Sequence, residues 1–167
     1  MNTQPQELIF RTPEAQEVFG EHLGRVLTGG DCVALVGELG TGKTTLCRGI
    51  GRGLDCVDPL RSPTYLLCHE IEGRHPVLHL DAYFEERMDS LLAEGLCERF
   101  DQDHVLLVEW ADRLPQWWPS DRLELRLTVI PEGRRLHLYG CGPQALERLE
   151  SALGSWKSAE IPEPGGG

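Results

Sequence analysis

The residues at 37–45 carry the strongest chemical signal in the chain. Gly37-Glu38-Leu39-Gly40-Thr41-Gly42-Lys43-Thr44, followed by Thr45, matches G-x-x-x-x-G-K-[ST] at every fixed position. Gly37, Gly40 and Gly42 allow a turn tight enough to aim backbone N–H groups at an anion. A helix starting just after the loop adds its unpaired N–H groups and the positive end of its dipole. Lys43 supplies a mobile charge for β- and γ-phosphates, and the Thr44 hydroxyl can ligate Mg²⁺. The chemistry expected here is binding of a nucleoside triphosphate with Mg²⁺ as its metal.

Two acids stand at the ends of apolar runs. Asp81 follows Pro76–Leu80 (PVLHL), and Glu109 follows Val105–Val108 (VLLV). Open α/β sheets bind ligands at the carboxyl ends of their parallel strands, so both acids are expected beside the loop. Phosphoryl transfer rests on alignment and charge stabilisation. Glu109 is therefore assigned to the metal and the attacking water, and Asp81 to the metal's outer shell or to orientation. Exchange of these two roles stays open, as does the plain reading of each as a solvated strand-end acid. Trp110, next to Glu109, would point to the opposite side if the strand continued, as either a core or a partner-facing residue. Arg87 and Arg113 are read as either phosphate contacts or surface residues.

The elements that must hold these groups are legible from periodicity. Asp31–Val36 (DCVALV) reads as a buried strand ahead of the loop, and Leu46, Ile50 and Leu54 give the helix after it. Glu7–Phe10 reads as a short first strand. Thr12 then caps a helix with Pro13 at its first position, placing Ala15, Val18, Phe19, Leu23, Val26 and Leu27 on one face. Thr12 also precedes the loop in the manner of a residue near the nucleotide base, and both readings stay open. Ser62-Pro63-Thr64 is either a turn or a hydroxyl-bearing switch sensing the γ-phosphate or its metal. Strands are expected at 65–71 and 76–80, a short helix over 88–96, and a strand at 105–108. Leu123–Ile130 (LELRLTVI) and Leu136–Tyr139 (LHLY) alternate as an antiparallel hairpin with one wet face. A last helix is expected over Pro143–Leu153, then a disordered tail.

These elements predict a single α/β domain of P-loop NTPase type over 1–153, with a tail at 154–167. The expected sheet is central and largely parallel, flanked by helices, with an antiparallel C-terminal hairpin. At 167 residues the chain supports one full core. Its apolar runs are too short to cross a bilayer, and its start lacks a secretory pattern, so a cytoplasmic protein is expected. A net charge of −11 disfavours a broad grip on nucleic acid phosphates. The six cysteines include no C-x-x-C pair and read as reduced thiols, and His79 reads as a packed or edge residue.

The segments GELGTGKTT, SPTYLL, HLDAYF, LLAEGLCERF and VEWADRLP occur in an order and spacing that resembles the bacterial threonylcarbamoyladenosine biosynthesis ATPase family TsaE, also called YjeE. The resemblance runs from about Phe10 to Tyr139. It implies a small P-loop ATPase, weak alone, that supports the TsaD and TsaB proteins in forming N6-threonylcarbamoyladenosine at position 37 of tRNAs reading ANN codons. Contact with tRNA would be indirect, through that complex. By matching position, Gly37 to Thr45 would bind the ATP phosphates, and Thr44 and Glu109 would hold Mg²⁺. Asp81, Thr64 and Trp110 would serve the switch and catalytic region. Phe84 stands where the family commonly has Arg, and Leu66 where it commonly has Thr. A small-molecule kinase and a nucleotide-gated binding protein without catalysis are the competing readings.

Overall fold

The computed structural model describes residues 4–60 and 67–159. In chain order these form β1 (Gln6–Phe10), α1 (Pro13–Val26), β2 (Cys32–Val36), α2 (Lys43–Gly53), β3 (Cys68–Ile71) and β4 (Val77–Asp81). Then follow α3 (Glu85–Ala93), β5 (Val105–Glu109), β6 (Leu123–Ile130), β7 (Gly133–Gly140) and α4 (Pro143–Ala159). Short 3₁₀ turns at Leu96–Arg99, Ala111–Arg113 and Pro115–Trp117 complete the chain.

Among the described residues there is one seven-stranded sheet, in the order β1-β7-β6-β2-β5-β4-β3. β2 pairs parallel with both β5 and β6, and β4 pairs parallel with β5. The outer pairs β1–β7, β6–β7 and β3–β4 are antiparallel. The parallel centre is the buried part, as its continuous apolar strands require. The hairpin expected from 123–130 and 136–139 forms, but β6 also joins β2 on its other side. Local alternation in a sequence does not disclose that second partner.

Alternation sorts the strands into two faces. Val33, Leu35, Val105, Leu107, Leu123 and Leu125 are buried against one cluster, which includes Phe19 and Leu23 of α1, Leu46 and Ile50 of α2, and Leu149 of α4. Ala34, Leu78, Leu80, Leu106 and Val108 form the other cluster with Met88 and Leu92 of α3 and with Trp118. Each fully buried side chain of this size contributes about 1.5–3 kcal/mol relative to leaving it exposed.

Two details differ from the sequence expectation. Val18 is exposed, because α1 turns Gly20 and Gly24 toward α2 instead. There they face Gly49 and Gly53, and a Cβ at Gly20 would lie 2.5 Å from the Leu46 carbonyl oxygen and 3.1 Å from Gly49 Cα. The two helices therefore meet backbone to backbone. α4 also runs past Leu153 to Ala159, since Trp156 closes the core edge-on against Phe10 and Phe19, with ring centroids 6.0 and 5.6 Å away. The folded domain thus includes residues assigned to a tail, and residues 160–167 lie outside the described range.

Candidate phosphate-binding site

The loop between β2 and α2 is braced by its own groups. Thr41 Oγ1 donates to the Glu38 carbonyl at 2.8 Å, and Lys43 Nζ donates to the Gly37 and Glu38 carbonyls at 2.5 and 2.9 Å. Gly42 has φ 96° and precedes α2, and no side chain caps that helix. The first-turn N–H groups of α2 are therefore left to an anion. The φ of 96° favours glycine at 42, and a Cβ there would lie 2.5 Å from the Gln16 amide nitrogen and push that side chain aside. Gln16, buried on α1, donates from Nε2 to the Gly42 carbonyl at 2.9 Å and ties α1 to the loop.

Asp81 and Glu109 end the parallel strands β4 and β5 and are paired across them. Among the described residues each carboxylate has one oxygen engaged. Asp81 Oδ1 accepts the Tyr83 N–H at 2.9 Å, and Glu109 Oε2 lies 2.8 Å from His79 Nε2. Burial raises the Asp81 pKa; the Tyr83 amide opposes this and the Glu109 charge adds to it. Burial lowers the Lys43 pKa, while Glu109, Asp81 and Glu38 pull it back up. Lys43 thus faces two buried acids, where each charge matters more than on the surface.

Trp110 does not continue the strand. It takes the left-handed conformation, φ 57° and ψ 38°, which ends β5. For a bulky residue this costs about 1–2 kcal/mol. The turn puts its ring on the same side as the site, with Lys43 Nζ 4.3 Å from the ring centroid. The opposite-side reading depended on a continued strand, which stops here, while the core reading fits: Trp110 is buried in the cluster of Ala34 and Val108 and also reaches the cavity. Tyr83 packs on Trp110 with centroids 5.1 Å apart, and Arg113 lies 4.8 Å from the Tyr83 ring and 5.0 Å from Trp110.

A cavity of about 610 Å³ joins these groups. Its wall includes Leu39, Gly40, Gly42, Lys43, Thr44, Thr45, Asp81, Glu109 and Trp110. Thr12 is there too, although its hydroxyl also caps α1 by accepting the Ala15 N–H at 3.1 Å. Gly37, Glu38 and Thr41 are not on the wall and act as the loop's framework. Arg87 and Arg113 are also absent from the wall. Thr64 lies outside the described residues. The cavity's other end is lined by Phe10, Arg11, Gly133 and Arg134, which sequence reasoning did not single out. The wall donors facing Lys43 are carboxylate and hydroxyl oxygens, a set that fits Mg²⁺.

Behind the wall, Cys47, His79 and Glu109 bring their donor atoms within 4.8 Å of one another. His79 precedes Asp81 by two on a strand and Cys47 follows Lys43 by four on a helix, so each shares a face with a wall residue. That spacing was the available signal. Burial pushes the Cys47 thiol well above its usual 9.0. Among the described residues, Cys32, Cys47, Cys56 and Cys141 are free thiols. No described helix is long and apolar enough to cross a membrane.

Residues 10–136 match the family model described as "Threonylcarbamoyl adenosine biosynthesis protein TsaE". The tRNA threonylcarbamoyladenosine biosynthesis protein TsaE of a Nostoc species is 41% identical over 117 residues, 68% of this chain and 72% of that protein. The protein of the same name from Bacillus subtilis is 34% identical over 123 residues, 71% and 76% of the two chains. The crystal structure of Bacillus subtilis YdiB superposes with a TM-score of 0.76 over 96% of this chain and 99% of that one, at 24% identity, a likeness of fold. A match spanning the loop, both strand-end acids and most of the sheet places the chain in the TsaE family.

Proposed function

We propose that this chain binds Mg-ATP in the 610 Å³ cavity and hydrolyses it slowly on its own, in tRNA threonylcarbamoyladenosine biosynthesis. On this reading its turnover supports repeated cycles of a TsaD–TsaB complex that forms N6-threonylcarbamoyladenosine at position 37 of tRNAs reading ANN codons. The observation that carries the reading is the convergence of the loop wall, Lys43, Asp81 and Glu109 on one cavity. Family membership supports the tRNA pathway.

The chain's own residues divide the work. The amides of the loop and of the first turn of α2 hold phosphate oxygens, as backbone N–H groups at a helix start do. Lys43 exchanges its carbonyl partners for phosphate oxygens and spreads charge off the transferring group. Thr44 and Glu109 hold the metal. Glu109 would also hold the attacking water, and Asp81, its Oδ1 fixed by the Tyr83 amide, would stand in the metal's outer shell or serve orientation from the neighbouring strand end. Mg²⁺, when bound, neutralises charge on the β- and γ-phosphates.

Calorimetry on the full chain tests this. Wild type is expected to take up Mg-ATP. Lys43→Ala is expected to bind about 10–100-fold more weakly, from loss of about 1.5–3 kcal/mol of charged hydrogen bonding. Equal uptake by both refutes the assignment. Hydrolysis should release inorganic phosphate only, and acceptor-dependent transfer would replace this reading with a kinase. Co-purification with TsaD and TsaB, with and without ATP, tests the partnership.

A further inference from the structure

We infer that His79 is a positioning residue for metal binding: from beneath the cavity it holds Glu109 in one orientation, so that the carboxylate presents a fixed oxygen to the nucleotide's metal. This rests on the Mg-ATP reading and adds a residue that it does not contain.

The fold alone gives no reason for an imidazole at 79. His79 is fully buried, on the helix-covered face of β4, between the apolar Val77 and the site acid Asp81. Among the described residues its Nδ1 has no hydrogen-bond partner. A buried polar atom left unpaired costs about 1–3 kcal/mol, and an apolar side chain would avoid that cost. Among the described residues its hydrogen-bond contact is the 2.8 Å approach of Nε2 to Glu109 Oε2. The hydrogen belongs on Nε2, because a carboxylate oxygen accepts and does not donate. His79 therefore donates, and Nδ1 is left as a bare acceptor.

The effect falls on Glu109. This residue is 3% exposed yet lines the cavity, so only a small part of it reaches the nucleotide. A Glu side chain has about 1.5–2 kcal/mol of rotamer freedom to lose. The His79 ring, locked by packing, removes that freedom before the metal arrives and commits Oε2, leaving Oε1 for coordination. Cys47 does not compete, since its buried thiol stays protonated and uncharged. Hydrogen bonds behind metal-binding groups typically change metal affinity or activity about 10–100-fold.

The test compares wild type, His79→Gln and His79→Leu by calorimetry of ATP binding across Mg²⁺ concentrations, and in excess chelator, with urea midpoints alongside. Gln keeps an N–H donor at about the reach of Nε2, and Leu keeps volume alone. His79→Leu should need about 10-fold more Mg²⁺ for half-maximal enhancement of ATP binding. Its metal-free ATP affinity and urea midpoint should match wild type, and His79→Gln should keep most of the Mg²⁺ dependence. Unchanged Mg²⁺ dependence in His79→Leu overturns the inference and leaves the ATP reading standing. A drop in its urea midpoint with parallel loss of metal-free binding overturns it in favour of a structural role. Preferential saturation of wild type by Zn²⁺ through Cys47 and His79 overturns it in favour of a soft-metal site. Absence of Mg-ATP binding by wild type overturns both readings.

Discussion

Replacing Gly20 with alanine adds one methyl group at the α1–α2 contact and should destabilise the domain by about 2 kcal/mol. The new Cβ would lie 2.5 Å from the Leu46 carbonyl oxygen and 3.1 Å from both Gly49 Cα and the Ile50 nitrogen. Comfortable heavy-atom contact begins near about 3.5 Å, so the overlap is about 1 Å against backbone that cannot rotate away. Overpacking of this kind costs about 1–3 kcal/mol, and backbone opposition puts this case at the upper end. The intrinsic gain of alanine over glycine in a helix, about 0.5–1 kcal/mol, offsets part of it. At this chain length the net cost lowers Tm by about 4–8 °C. Gly154→Ala on α4 is the matched control, because its Cβ meets nothing within 4 Å. That variant should gain about 0.5–1 kcal/mol. Urea denaturation of both proteins measures the difference. Should Gly20→Ala prove as stable as Gly154→Ala, the close contact of these helices is refuted.

Gln16→Leu keeps volume but removes the bond to the Gly42 carbonyl, which retains the Leu46 N–H at 3.0 Å. Global stability should fall by only about 1 kcal/mol, while amide exchange across 38–42 accelerates; a loop as protected as in wild type would contradict the tie. Asp31 sits buried under Arg148 Nε at 2.9 Å, the Thr28 N–H at 2.7 Å and the Gln144 amide. Asp31→Ala should cost about 3 kcal/mol in urea titration, and a loss under about 1 kcal/mol would show that this clamp is slack. His104 bridges Glu70 and Asp101 at 2.9 and 2.7 Å, and the Glu70 bond chiefly raises its pKa above the usual 6.5. Its contribution is complete below 6.5 and fades as pH rises through the higher folded value. Asp101, held below its usual 3.8 chiefly by His104, contributes above that value and fades as pH falls through the lower one. The stability gap between wild type and His104→Asn should therefore peak near about pH 5–6 and shrink by about pH 9, and a gap that widens with pH would reverse the sign.

The phosphate loop was readable because its residues are consecutive and its chemistry needs fixed spacing. Asp81 and Glu109 were readable because an acid ending an apolar strand has one natural place in an α/β sheet. For Trp110 the sequence left core and partner-facing readings open; it is buried, and alternation could not place its ring because a left-handed φ of 57° ends the strand there. The outer half of the cavity, Phe10, Arg11, Gly133 and Arg134, is assembled from strands far apart in sequence. No local pattern joins them. The glycines at 20, 24, 49 and 53 read one at a time as helix weaknesses, and only their juxtaposition shows what they permit. The end of α4 was placed six residues short, at Leu153 rather than Ala159, because Trp156 gains its meaning from Phe10 and Phe19.

The backbone-to-backbone seam between α1 and α2 also sets how the cavity can deform. α1 begins after Thr12 and α2 at Lys43, both on the pocket wall, and Gln16 joins the two starts through the Gly42 carbonyl. Where Gly20 and Gly24 meet Gly49 and Gly53 there is no side chain to slide or repack, so the two helix starts are held together as by a weld. Any change of shape that accompanies loss of a phosphate must then be borne by the opposite wall, where Tyr83, Phe84 and Trp110 stand on strand ends rather than on welded helices.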